Sequence, residues 1–97
     1  MLAPEYHDAI RTRLKGAAST PSELRSGLAV LHEIERWLDP HSRICTKTAV
    51  DLCELLGMDK ANLSRLLSQL ESIGAIVRVK RGRSKLIMLT GEAVPHA

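Results

Sequence analysis

The sequence predicts a small, mostly α-helical α+β fold, with helices through the first three quarters of the chain and one β-hairpin behind them. Three observations carry this prediction. Apolar residues recur every three or four positions as far as Ile73, the pattern of helices with one buried face. After Gly74 the pattern changes to β-rich runs at residues 76–80 and 85–90, joined by Arg81-Gly82-Arg83-Ser84. With one Trp, one Tyr and no Phe, the core must be aliphatic, which suits packed helices better than an aromatic sandwich of sheets.

The first helix is expected after Pro4, whose fixed φ suits a first turn, with Glu5 and Asp8 complementing the dipole. Tyr6, Ala9, Ile10 and Leu14 lie on its apolar face, and Gly16 is expected to stop it. Residues 17–19 read as a link, because Thr20-Pro21-Ser22-Glu23 is a helix start with Thr20 as N-cap, Pro21 at the first position and Glu23 reaching back as a capping box. Leu24, Leu28, Leu31, Ile34 and Leu38 then make the stripe of a long helix that Asp39-Pro40 is expected to end, with Trp37 on its flank. His41 and Ser42 form a polar turn, and Arg43-Ile44-Cys45 a very short strand. Thr48, with Asp51 three residues on, starts a third helix that Gly57 ends. Asp59 starts a fourth, with Leu63, Leu66, Leu67, Leu70 and Ile73 on one face and Gly74 closing it.

Ninety-seven residues, 44% hydrophobic and 26% charged, have room for one core, which excludes a large enzyme fold, a disordered tail and a fibrous repeat. The expected division is an N-terminal helix and link over 1–19, the main domain over 20–90 and a flexible tail over 91–97. No apolar run approaches the roughly 20 residues needed to span a bilayer. The N-terminus lacks a secretory pattern, so a cytoplasmic protein is expected, or a mature form whose signal has been removed. Cys45 and Cys53, eight apart, match neither C-x-x-C nor a disulfide framework and are read as reduced thiols.

Helix, short strand, helix, tight turn, helix, hairpin is the order of a winged helix-turn-helix domain. The stretch Thr48-Ala49-Val50-Asp51-Leu52-Cys53-Glu54-Leu55-Leu56-Gly57-Met58-Asp59-Lys60-Ala61-Asn62-Leu63-Ser64-Arg65-Leu66-Leu67, then Leu70-Glu71-Ser72-Ile73-Gly74-Ala75-Ile76 and the hairpin ending Leu89-Thr90-Gly91-Glu92, resembles the DNA-binding core of MarR-type transcriptional regulators. The resemblance covers about the last half of the chain. It implies that the second helix of the pair enters the major groove and that the hairpin, as a wing, contacts the backbone or minor groove. Two departures stand out. The family's wing usually carries Asp-x-Arg, whereas here it reads Arg81-Gly82-Arg83, in which Arg83 matches the family's Arg. Members also tend to carry terminal helices that build a dimer and a ligand pocket, whereas nothing of length follows Thr90, so a small-molecule effector is not expected.

The residues argue for DNA contact without the name. Opposite the buried stripe, the fourth helix presents Ala61, Ser64, Arg65, Ser68 and Ser72, with Asn62 and Gln69 on one shoulder and Lys60 on the other. Small and hydrogen-bonding side chains let a helix approach bases. Arg65 suits a bidentate pair with guanine, Asn62 and Gln69 suit adenine, Ser64 and Ser68 suit bases or phosphates, and Lys60 near the helix start suits a phosphate. Any solvated helix face is polar. Two features tip the balance: residues 60–70 contain no acid, and the hairpin bears Arg78, Lys80, Arg81, Arg83 and Lys85 with none between them. Five cations on one hairpin repel one another and favour an anionic partner. Arg81 and Arg83 flank Gly82 at the tip, where they suit a narrow minor groove; Arg78, Lys80 and Lys85 sit lower, along the backbone.

Other residues read as structural. Cys53 sits where this motif takes a small buried residue, with redox or metal sensing as the minority alternative. His41 and Cys45 lie across a turn with no third ligand close by, so no metal is expected. His7, His32 and His96 are scattered, and there is no phosphate loop, Ser-His-Asp pattern or acidic cluster, so neither cofactor nor enzyme activity is expected. The partner expected is double-stranded DNA, bound by a transcriptional regulator. A homodimer is expected because one recognition helix reads only a few base pairs; Leu2, Tyr6, Ile10 and Leu14 either supply its surface or cover the second helix. Plasmid or phage replication and partition proteins with winged helices are an alternative, as is a protein-interaction module with an acidic partner.

Overall fold

The computed structural model describes residues 4–17, 20–82 and 84–89. Four helices, α1 (Pro4–Ala17), α2 (Pro21–Arg36), α3 (Ala49–Leu56) and α4 (Lys60–Ser72), precede an antiparallel hairpin of β1 (Ile76–Arg81) and β2 (Ser84–Leu89). The fold is the mostly helical α+β arrangement that the sequence predicts. The expected tail, 91–97, lies outside the described residues, and none of the described helices is long and apolar enough to cross a membrane.

Local chemistry sets each helix start. The Thr20 hydroxyl accepts from the Glu23 N–H at 3.1 Å at the head of α2. At α3 both halves of the capping box form: Asp51 N donates to Thr48 Oγ1, and Thr48 N donates to Asp51 Oδ2 at 3.0 Å. Asp59 Oδ1 accepts from Asn62 N at 2.7 Å and caps α4. Between α3 and α4 the chain reverses at Gly57, whose φ of 62° lies in the left-handed region. No Cβ clash bars a side chain there, so the glycine is required for its backbone alone.

Four expectations are corrected. Gly16 does not stop α1, which runs on to Ala17. α2 stops at Arg36, short of the predicted Asp39-Pro40 boundary, because tertiary pairing takes over its last turn: Trp37 O accepts from Thr46 N at 2.7 Å and from Thr46 Oγ1 at 2.8 Å. Leu38, expected in the helical stripe, pairs instead as an isolated antiparallel bridge with Cys45. The four-residue link expected at the hairpin tip is a two-residue connection, since Arg81 and Ser84 already pair and Gly82, with φ 63°, supports the tight reversal. Of the two roles expected for Leu2, Tyr6, Ile10 and Leu14, Ile10 and Leu14 take the second: both are fully buried against the body of the same chain and cover α2, while Leu2 lies outside the described residues. Leu14 lies so close to Gly27 that a Cβ there would stand 2.8 Å from its Cδ2.

The short strand at Arg43-Ile44-Cys45 is present as a bridging segment beside β2. Ile44 pairs with Met88, Cys45 N donates to Ile87 O at 2.7 Å, and Leu89 N donates to Arg43 O at 3.0 Å. The preceding turn is organised by Asp39, whose carboxylate accepts from His41 N and Ser42 Oγ, both at 3.0 Å; these bonds hold its carboxyl below the ordinary range. The core lies between these layers. Leu63, Leu66, Leu67 and Leu70 of α4 meet Val30 and Ile34 of α2, Leu52 of α3, and Ile76, Ile87 and Leu89 of the hairpin. Trp37 is half-buried at the edge, its Nε1 donating to Glu33 Oε2 at 2.8 Å.

Gly57→Ala is expected to cost roughly 1–2 kcal/mol, because only the left-handed backbone penalises the added methyl. Urea unfolding followed by Trp37 fluorescence measures it; an unchanged midpoint would show that the turn tolerates L-residues.

Candidate nucleic-acid interface

Burial of one face of α4 leaves the opposite face to solvent. Lys60, Ala61, Ser64, Arg65, Ser68 and Ser72 are exposed, as the helical spacing predicts. Asn62 and Gln69 are half-buried, Gln69 turned towards α2, and the side facing the hairpin carries Glu71. The centre of the face is therefore made of small side chains, Ala61, Ser64 and Ser68, with an arginine on either side.

On the α2 side, Arg65 Nη1 donates to Glu23 Oε2 at 3.3 Å and Nη2 donates to Asn62 Oδ1 at 2.6 Å. Gln69 Nε2 donates to the other oxygen of Glu23, while Gln69 Oε1 is buried without a hydrogen-bond partner. Thr20 caps α2 as expected, and both carboxylate oxygens of Glu23 accept hydrogen bonds from α4. Gln69 therefore cannot offer its whole amide to an adenine while its nitrogen stays on Glu23.

The hairpin side has a second strut. Arg78 Nη2 donates to Glu71 Oε1 at 2.8 Å and to Ser68 Oγ at 3.0 Å, its Nε donates to Glu71 Oε1 at 3.3 Å, and its backbone N–H donates to Glu71 Oε2 at 3.2 Å. Arg78, expected to track a phosphate backbone, is a brace between β1 and α4. Its side-chain bonds, followed by its backbone N–H, hold the Glu71 carboxyl below the usual range. Sequence reasoning missed both carboxylates. Glu23 is 42 residues from Arg65 and reads locally as a cap, and no short-range pattern marks the seven-residue step from Glu71 to Arg78.

Lys80 and Lys85 stand opposite each other in the hairpin register and are both exposed. With Lys60 they form no ion pair among the described residues. Like charges placed directly across a ladder destabilise it, so this pair favours an external anion. Between α3, α4 and the hairpin lies a pocket of about 190 Å³, floored by Leu63, Leu67 and Ile87 and bordered by Lys60, Arg78 and Lys85. An apolar wall beside charges of one sign concentrates their field towards the opening. Of the predicted tip residues, Arg81 ends β1 opposite Ser84, and Arg83 lies outside the described residues.

Cys45 is buried, and desolvation pushes its thiol up from the ordinary value; Cys53 is half-buried against the core. Among the described residues no three His, Cys, Asp or Glu side chains gather as a metal site requires. No protein-family model matches the chain, and no curated protein shows significant similarity to it.

Because Arg78 favours the ionised Glu71, the folded protein releases that proton at lower pH than the unfolded chain does. The stabilisation is present above the ordinary glutamate value of 4.5 and is lost as pH falls through the lowered one. Glu71→Gln is expected to cost under about 1 kcal/mol at neutral pH, since solvent screens this partly exposed pair, and to flatten the acid limb of stability. Urea midpoints measured between neutral and acid pH check both effects.

Proposed function

We propose that the chain is a sequence-specific double-stranded-DNA-binding protein of the winged helix-turn-helix type, most simply a transcriptional regulator, similar to the DNA-binding core of MarR-type regulators. The carrying observation is the outward face of α4, where Ala61, Ser64 and Ser68 lie between Arg65 and Arg78 and beside Lys60, Lys80 and Lys85, which form no ion pair among the described residues. Small side chains along the centre let the helix backbone approach base edges in a major groove. Arg65, Ser64 and Ser68 then reach bases, and Lys60 at the helix start takes a phosphate. The hairpin is the wing: Lys80 and Lys85 follow the backbone, Arg81 and Arg83 reach the minor groove, and Arg78 holds wing to helix so that the two grip the duplex as one body. A homodimer would double the few base pairs that one helix reads; its surface lies elsewhere than Ile10 and Leu14.

Binding of a random duplex pool, followed by fluorescence anisotropy over a range of salt, is expected to weaken with a log–log slope of about −0.9 per phosphate neutralised. Replacing Arg81 and Arg83 by Ala should flatten the slope by about two units per wing engaged. No binding at low salt would overturn the DNA reading in favour of an acidic protein partner.

Arg65→Ala is expected to cost roughly 1–3 kcal/mol on the duplex selected from that pool and much less on random DNA. Equal losses on both would make Arg65 a phosphate contact.

A further inference from the structure

Resting on the DNA reading, we infer that Glu23 of α2 is a specificity-determining positioning residue, a fixed carboxylate that holds the Arg65 guanidinium in one orientation for a bidentate acceptor pair, the guanine edge. The geometry separates the two partners by exposure. The Glu23 side chain is only 11% exposed while that of Arg65 is 59% exposed, so the acid is the anchored end and the guanidinium the presented one. Glu23 is anchored twice more: it occupies the first turn of α2, where the helix dipole favours negative charge, and its other oxygen accepts from Gln69 Nε2.

Donor arithmetic distinguishes a support from a decoy. A guanidinium has five N–H groups in a rigid plane. Arg65 commits one on Nη1 to Glu23 and one on Nη2 to Asn62, which leaves three, and a guanine O6/N7 pair needs two. The donor count therefore allows Arg65 to read a base without leaving Glu23, through whichever adjacent pair of N–H groups stays uncommitted. The two internal bonds, one to each Nη, fix the guanidinium plane, so the side-chain freedom lost on binding DNA is already lost in the free protein. The reach of Glu23 across from another helix also makes the orientation of Arg65 depend on the packing of α2 against α4.

The test compares full-length wild type, Glu23→Gln, Arg65→Ala and the double variant by anisotropy on two duplexes at two salt concentrations: one selected by wild type from a random pool, and a scrambled version of it. Glu23→Gln keeps size and shape but loses the charge. It is expected to lose roughly five- to tenfold of the preference for the selected duplex, to bind scrambled DNA at least as well as wild type, and to add no further loss of preference when combined with Arg65→Ala. Arg65→Lys, which keeps the charge without the fork, is expected to lose preference with an unchanged salt slope, and it serves as the second variant should Glu23→Gln fail to fold. Preference retained in Glu23→Gln, or retained in Arg65→Lys, overturns the inference while leaving DNA binding intact; tighter selected binding in Glu23→Gln overturns it by making Glu23 a decoy. No binding by wild type overturns the DNA reading itself.

Discussion

The leucines of α4, Leu63, Leu66, Leu67 and Leu70, form the surface on which α1, α2, α3 and β1 all converge. Burying one such side chain is worth about 1.5–3 kcal/mol, whereas a partly exposed ion pair contributes less than about 1 kcal/mol. The leucines therefore decide how α4 sits, and the charged groups can only refine it. Once that face is committed to the core, helical geometry turns Ala61, Ser64, Arg65 and Ser68 outward. The candidate interface is thus a by-product of core packing, and a change that rolled α4 about its axis would bury the exposed face and lose both.

The refinement is carried by two carboxylates on different elements. Glu23 fixes Arg65 from α2, and Glu71 ties Arg78, and so β1, to α4. These struts use part of the positive charge of the region internally, so the charge on offer is smaller than a count of Lys and Arg suggests. Lys60 and Lys85, which form no ion pair among the described residues, border the apolar-floored pocket, where low polarity strengthens their field. The bridging segment at Ile44 and Cys45 supports the hairpin from its other edge, so its base is held on both sides.

The sequence by itself determined the elements whose causes are local. Thr20, Thr48 and Asp59 cap the helices they were read to cap, Gly57 makes the left-handed turn, and the leucine spacing identified the face α4 buries. These depend on neighbours within one or two turns, which is the range over which backbone preference and helical period act. The outward positions of Lys60, Ser64, Arg65 and Ser68 were legible for the same reason. Only the tertiary structure decided the rest. α2 gave up its end because Trp37 and Leu38 found partners in Thr46 and Cys45; Leu14 went inward because Gly27 admits it; and Gln69, Arg65 and Arg78 acquired acid partners from elsewhere in the chain. Each of these outcomes turns on a contact between residues that no local period relates. A side chain's direction follows from its own helix, but its partner follows from how the helices pack.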